Sequence, residues 1–292
     1  MQAYIDKSFR QASLERIEQC NEIIEAYQEL GLRLTLRQLY YQFVARDLIP
    51  NNDKEYKNLG SLVSDGRMAG LIPWDAIEDR IRVPQEPPEW PSIDDLAELA
   101  LESFRLPRLQ GQPIYPELWV EKDALSGVLA PIARQHHITM MVNRGYSSQS
   151  AMRESALRIQ SNMKSLGSEQ AVVLYLGDMD PSGLDMIRDV QERLQLFGCD
   201  ALSVRHVALT SDQVAEYDPP PNPAKIKDPR AKAYISQYGS TSWEVDALDP
   251  TTLRSLIEQE LVELLDQSLI SEILAEEWRQ KERLKRSLRK PT

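Results

Sequence analysis

Cysteine and histidine are scarce in this chain, and long apolar runs are missing from it. Of 292 residues two are Cys and three are His. Cys20 and Cys199 sit far apart with no partner spacing, which excludes a zinc knuckle or a disulfide framework and fits a reducing cytoplasm. His136, His137 and His206 show no ligand spacing. No segment approaches the ~20 apolar residues of a membrane span, and MQAYIDKSFRQASLERIEQ is too evenly charged for a signal peptide. A soluble, cytoplasmic protein without membrane contact is therefore expected. Basic residues are outnumbered, 34 Lys and Arg against 45 Asp and Glu. The resulting net charge of −11 argues against non-specific coating of nucleic acid, though not against a local contact.

What is present is ordinary for a globular protein: 42% hydrophobic and 27% charged residues, in a length comfortable for two domains. Acids gather between Glu86 and Glu102 and between Glu258 and Asp266, whereas Arg279, Lys281, Arg283, Lys285, Arg286, Arg289 and Lys290 reverse the sign at the C-terminus. That tail is either a solvated helix end or a phosphate contact.

Residues 8–30 read as an amphipathic helix with Leu14, Ile17, Ile24 and Leu30 near one face, ended by Gly31. Thr35 caps a second helix, LRQLYYQFVARD, and a third begins near Asp53. The short, mixed GLIPWDAIEDRIRV fits the strand pair of a wing, so residues 1–83 suggest a winged-helix unit. Proline-rich VPQEPPEWP is the best boundary, and residues 84–113 form a linker with an acidic spacer helix from Ile93 to about Ser103.

From residue 114 to 292 the rhythm changes. The apolar strands ELWVEK, ITMMVNRG, AVVLYLGD and ALSVRHVAL alternate with helices, which predicts an α/β domain with a mainly parallel sheet flanked by helices. In such sheets ligands bind beyond the C-terminal strand ends. Glu121 ends the first strand, Asp178 ends the third, and Asp180 follows two residues later in GDMDPSG. Carboxylates without histidine or cysteine nearby select a hard cation, Mg²⁺ or alternatively Mn²⁺, set against a phosphate. The plainer alternative is that these acids cap helices.

LWVEKDAL followed by a later Asp-x-Asp resembles the Toprim domain of topoisomerases, primases and related nucleases. VEKDAL, NRGYSSQSAMR, GDMDPSG and WEVDALDP, in that order and with LRQLYYQFV upstream, resemble the A subunit of topoisomerase VI and the related meiotic double-strand-break proteins. The likeness runs from about Leu34 to Pro250 and is closest to the stand-alone mini-A type. It implies a winged-helix (5Y-CAP-like) domain ahead of a Toprim domain.

The helical register separates the two adjacent tyrosines. Tyr40 falls with Leu36, Phe43 and Val44 on the apolar face, while Tyr41 shares a face with Arg37 one turn earlier, where exposure is expected. The family pattern places its nucleophile at Tyr41, and Arg37 is suited to a bidentate phosphate contact. Gln38 stands where the family commonly has an aspartate.

The resemblance implies transesterification on double-stranded DNA. Tyr41 becomes linked to the 5′ end, and a metal on Glu121, Asp178 and Asp180 stabilises charge. It also implies a homodimer in which one subunit's tyrosine meets its partner's metal site, with an ATPase subunit in trans, because no ATP motif is present. Further DNA contacts are expected from Lys57 and Arg67, with solvated surface as the alternative, from Lys122, which could neutralise charge near the phosphate unless strand alternation turns it away, and from Arg144, which with Gly145 precedes a helix start at Ser147–Ser148 suited to cradling a phosphate. Glu244 and Asp246 are either near the metal or structural. Two rival readings are a hydrolytic Toprim nuclease and a catalytically silent DNA-bridging scaffold.

Overall fold

The computed structural model describes residues 3–74, 77, 87–223 and 230–288. Three helices lead: α1 (Gln11–Glu29), α2 (Leu36–Ala45) and α3 (Asp53–Met68). Thr35 and Gln38 close a reciprocal capping box on α2, and the Asn52 side chain caps α3, so both starts satisfy donors a helix leaves free. On α1 the buried side chains are Ile17, Cys20, Ile23, Ile24 and Tyr27, and Leu14 and Leu30 are exposed, so the core face lies further round the helix than expected. The expected wing falls mostly outside the described residues. Within it, Ile77 forms an isolated parallel bridge with Leu34.

After the acidic helix α4 (Ile93–Ser103) come β1 (Ile114–Val120), α5 (Ser126–His136), β2 (Thr139–Val142), α6 (Gln149–Leu166), β3 (Gln170–Leu176), α7 (Pro181–Leu196) and β4 (Leu202–Ala208). The four strands form one parallel sheet in the order β2-β1-β3-β4. Leu118, Trp119, Val120, Leu174, Tyr175 and Leu176 are fully buried, as near-continuous apolar strands covered on both faces require. The chain leaves β1 toward β2 and returns to β3 on β1's other side. The ends of β1 and β3 are therefore neighbours at the switch point of the sheet.

The remainder comprises α8 (Ser211–Tyr217), β5 (Asn222–Pro223), α9 (Ala231–Tyr238), β6 (Thr241–Ser242), α10 (Pro250–Leu264) and α11 (Gln267–Leu288). β5 and β6 pair antiparallel, a small ribbon that the proline-rich sequence does not announce. One hydrophobic cluster surrounds the sheet and a second joins α1–α3. Ala247, from the segment ahead of α10, belongs to the second. Tyr27 of α1 donates a hydrogen bond to Asp249, which also caps α10 through the Thr251 amide. The N-terminal helices are thus tied to the C-terminal half by residues more than 200 positions away.

Candidate active site

Glu121 follows β1 and Asp178 follows β3, and the backbone connects them: the Asp178 amide donates to Glu121 Oε2 at 3.1 Å. The turn after Asp178 depends on Gly183. A Cβ there would lie 2.1 Å from the Asp178 carbonyl oxygen, so only glycine lets α7 start this close. Asp180 sits in the same turn, but its Oδ1 accepts from the Ser182 and Gly183 amides and from the Ser182 hydroxyl. One oxygen of this expected metal ligand is therefore committed as the α7 cap.

The segment just past β6 brings in acids from far along the chain. Trp243 bridges Met179 with reciprocal backbone bonds of 2.9 and 3.1 Å, and the Val245 amide donates to Asp178 Oδ1 at 2.9 Å. Glu244 and Asp246 are thereby carried to the carboxylates. Lys122 answers them: its Nζ lies 3.0 Å from Asp178, 3.1 Å from Glu244 and 2.8 Å from Asp246. Strand alternation does not turn Lys122 away. Its ammonium is engaged by these three acids.

Tyr41 corrects a second expectation. It is 3% exposed, not surface-displayed, because the far side of α2 is covered by the segment around Glu244–Ala247. A helical pattern with one obvious apolar face does not reveal a second covering partner. The Tyr41 hydroxyl donates to Glu244 Oε2 at 2.5 Å, and Arg37 Nη2 lies 3.3 Å from the same hydroxyl. Arg37 also binds Glu244 directly and reaches Asp246 with its Nε at 2.8 Å. Tyr40 is buried as expected, its hydroxyl donating to Asn51 at 2.9 Å.

Burial and neighbouring acids set the electrostatics. Burial, with the charge of Asp178 next, pushes Glu121 up to about 7. Asp178 is raised as well, mainly by burial, with Lys122 opposing. Burial, followed by Asp246, drives the Tyr41 phenol well above its ordinary value despite Arg37, so the hydroxyl is held protonated. Four carboxylates (Glu121, Asp178, Glu244 and Asp246) thus face two cations, Lys122 and Arg37.

A cleft of about 400 Å³ opens beside this cluster, lined by Arg37, Glu121, Lys122, Asp123, Arg144 and Gly145 among others. Arg144 stands at its rim, paired with Asp123 at 3.3 Å. Ser148, three residues past Gly145, caps α6 by accepting from the Ala151 amide. The other two expected DNA contacts lie elsewhere. Lys57 is exposed on α3, and Arg67 donates to the Trp74 and Ile77 carbonyls while stacking on the Trp74 ring, which gives it a structural duty.

Among the described residues, no three His, Cys, Asp or Glu side chains are grouped to chelate an ion by themselves. The oxygens nearest one another at the strand ends are those of half-buried Glu121 and buried Asp178, hard donors of the kind a divalent cation takes, with the Lys122 ammonium 3.0 Å from Asp178. Sequence reasoning singled out Glu121, Asp178, Tyr41 and Arg37, and the fold gathers all four.

No family model, curated protein or solved structure matches the chain.

Proposed function

We propose that this protein cleaves and rejoins double-stranded DNA by tyrosine transesterification, in the manner of the A subunit of topoisomerase VI. The observation that carries the reading is the hydrogen bond from Tyr41 to Glu244, which links the candidate nucleophile through Lys122 to Asp178. In the opposed site that the resemblance implies, the acid at the Glu244 position accepts the phenolic proton as the Tyr41 oxygen bonds to the phosphorus of an internal phosphodiester, which stays attached to the 5′ side of the break. The phosphorus–O3′ bond breaks, and the leaving oxygen takes a proton from water, giving a 3′-hydroxyl. Arg37 holds the hydroxyl and, once released from the acids, binds the phosphate.

Glu121 and Asp178 are the residues that would hold Mg²⁺ or Mn²⁺, with Asp180 beside them in the same turn. Such an ion supplies charge stabilisation at the phosphate. Lys122 neutralises the acids in its place or beside it, and Arg144 guides the DNA backbone at the cleft rim.

Because Tyr41 is buried, attack requires α2 to separate from the Glu244–Ala247 segment. The resemblance places each tyrosine opposite a partner's metal site, and this separation is the movement such an exchange would need. ATP-driven strand passage would require a separate ATPase subunit.

The test is labelled supercoiled DNA incubated with protein and Mg²⁺ or Mn²⁺, then stopped with detergent. Protein covalently attached at 5′ ends is expected, and it disappears in Tyr41→Phe and falls at least about 100-fold in Glu244→Gln. The burial of Tyr41 favours one competitor, a hydrolytic nuclease using metal-activated water. Free 5′-phosphate ends, still formed by Tyr41→Phe, would establish that competitor instead.

A further inference from the structure

The proline-rich run that leads into β5 ends beside Tyr41. Asn222 is followed by Pro223, which restricts it to extended backbone, and β5 pairs it with Ser242, two residues ahead of Glu244. The ribbon side of the seam thus carries both Asn222 and Glu244.

Hydrogen bonds fix which end of the Asn222 amide faces the tyrosine. The Pro221 carbonyl can only accept, so Asn51 presents its Nδ2 there at 3.0 Å, and its Oδ1 accepts from the Tyr40 hydroxyl at 2.9 Å. The same Nδ2 donates to Asn222 Oδ1 at 3.2 Å. Asn222 therefore keeps its own Nδ2 for the Tyr41 hydroxyl, toward which it is a hydrogen-bond donor. Glu244 accepts from that hydroxyl at 2.5 Å, and Arg37 offers it a second donor at 3.3 Å. A structural tyrosine is satisfied by one acceptor. One acceptor with two donors is what a phenolate needs, since the donors stay bonded once the proton has left. Arg37 lies on α2 and moves with Tyr41, whereas Asn222 and Glu244 stay in place when α2 separates.

We propose that Asn222 is a positioning residue for the nucleophile, orienting the phenol oxygen and steadying the negative charge that forms on it. This role rests on the transesterification reading, but the contact can be measured without DNA.

For the test, Tyr41 is replaced by difluorotyrosine, whose lower phenol pKa brings ionisation into a range the fold tolerates. Its fluorine resonance is followed against pH in the full chain. Asn222→Ala and Asn222→Asp, the second of which keeps the acceptor for Asn51, should each raise the midpoint by about one pH unit or more. Arg37, Glu244, Asp246 and Asp178, the charged groups acting on the same hydroxyl, are untouched in both variants. Ser242→Ala removes a hydroxyl that donates to the Asn222 carbonyl at 3.4 Å; it perturbs the ribbon but not the amide, and should leave the midpoint in place. With Tyr41 itself present, Asn222→Ala should cut covalent 5′ attachment about 100-fold. An unmoved midpoint in Asn222→Ala, or an equal rise in Ser242→Ala, would overturn the proposal. A raised midpoint in a chain that never attaches to DNA would uphold Asn222 as the donor and remove the transesterification reading instead.

Discussion

Glu121 shows how one residue can join stability to ligand chemistry. Its carboxyl, ordinarily at 4.5, is pushed up to about 7 by burial and then by Asp178. The folded chain therefore binds this proton more tightly than the unfolded one. Stability that is present at low pH is lost as pH rises through the window between those values. Glu121→Gln should remove that slope and melt about 2–4 °C above wild type near pH 8, in thermal unfolding followed across the window. A divalent cation must displace the same proton, so stabilisation by Mg²⁺ should grow as pH rises toward about 7 and vanish in Glu121→Gln. Equal stabilisation of that variant would remove Glu121 from the metal site. At this scale much was legible: the acids stood out because they end apolar strands. The burial of Tyr41 did not, because its covering residue, Glu244, lies 203 positions away.

Among the elements, the turn from β3 into α7 is the most constrained. Placing Asp178 and Asp180 at one edge requires Gly183 to pass the Asp178 carbonyl with no room for a Cβ. Gly183→Ala should destabilise the fold by about 1–3 kcal/mol in urea titration, as overpacked sites do, and should reduce metal binding through the displaced Asp178. The α2 start offers a gentler comparison. Thr35→Ala removes the cap of the capping box and should cost about 1 kcal/mol while leaving the metal response intact. Both turns carry recognisable punctuation, Pro-Ser-Gly and Thr-x-x-Gln, and both were readable. The β5–β6 ribbon was not, since two-residue strands among prolines carry no alternation to detect.

For the whole molecule, the decisive feature is the seam between the N-terminal helices and the C-terminal half. Tyr27–Asp249, Tyr41–Glu244 and Arg37–Asp246 all cross it. Asp249→Ala removes a helix cap and the acceptor of the Tyr27 hydroxyl together, and should cost about 2–4 kcal/mol. Opening at this seam also governs access to Tyr41. Under the proposed mechanism Asp249→Ala should therefore raise the rate of phenol modification at Tyr41, read by peptide mass analysis, even as stability falls.

Period and punctuation alone determined the alternating strands and helices, the parallel α/β sheet and the acids at strand ends, because burial on two faces leaves an apolar run whatever covers it. Which strands lie side by side was decided by the fold: the order β2-β1-β3-β4 makes Glu121 and Asp178 neighbours. Tertiary packing likewise turned Lys122 into the acids and brought Glu244 over Tyr41. A hydropathy pattern records that a side chain is covered, whereas the identity of the covering group depends on contacts between residues remote in sequence.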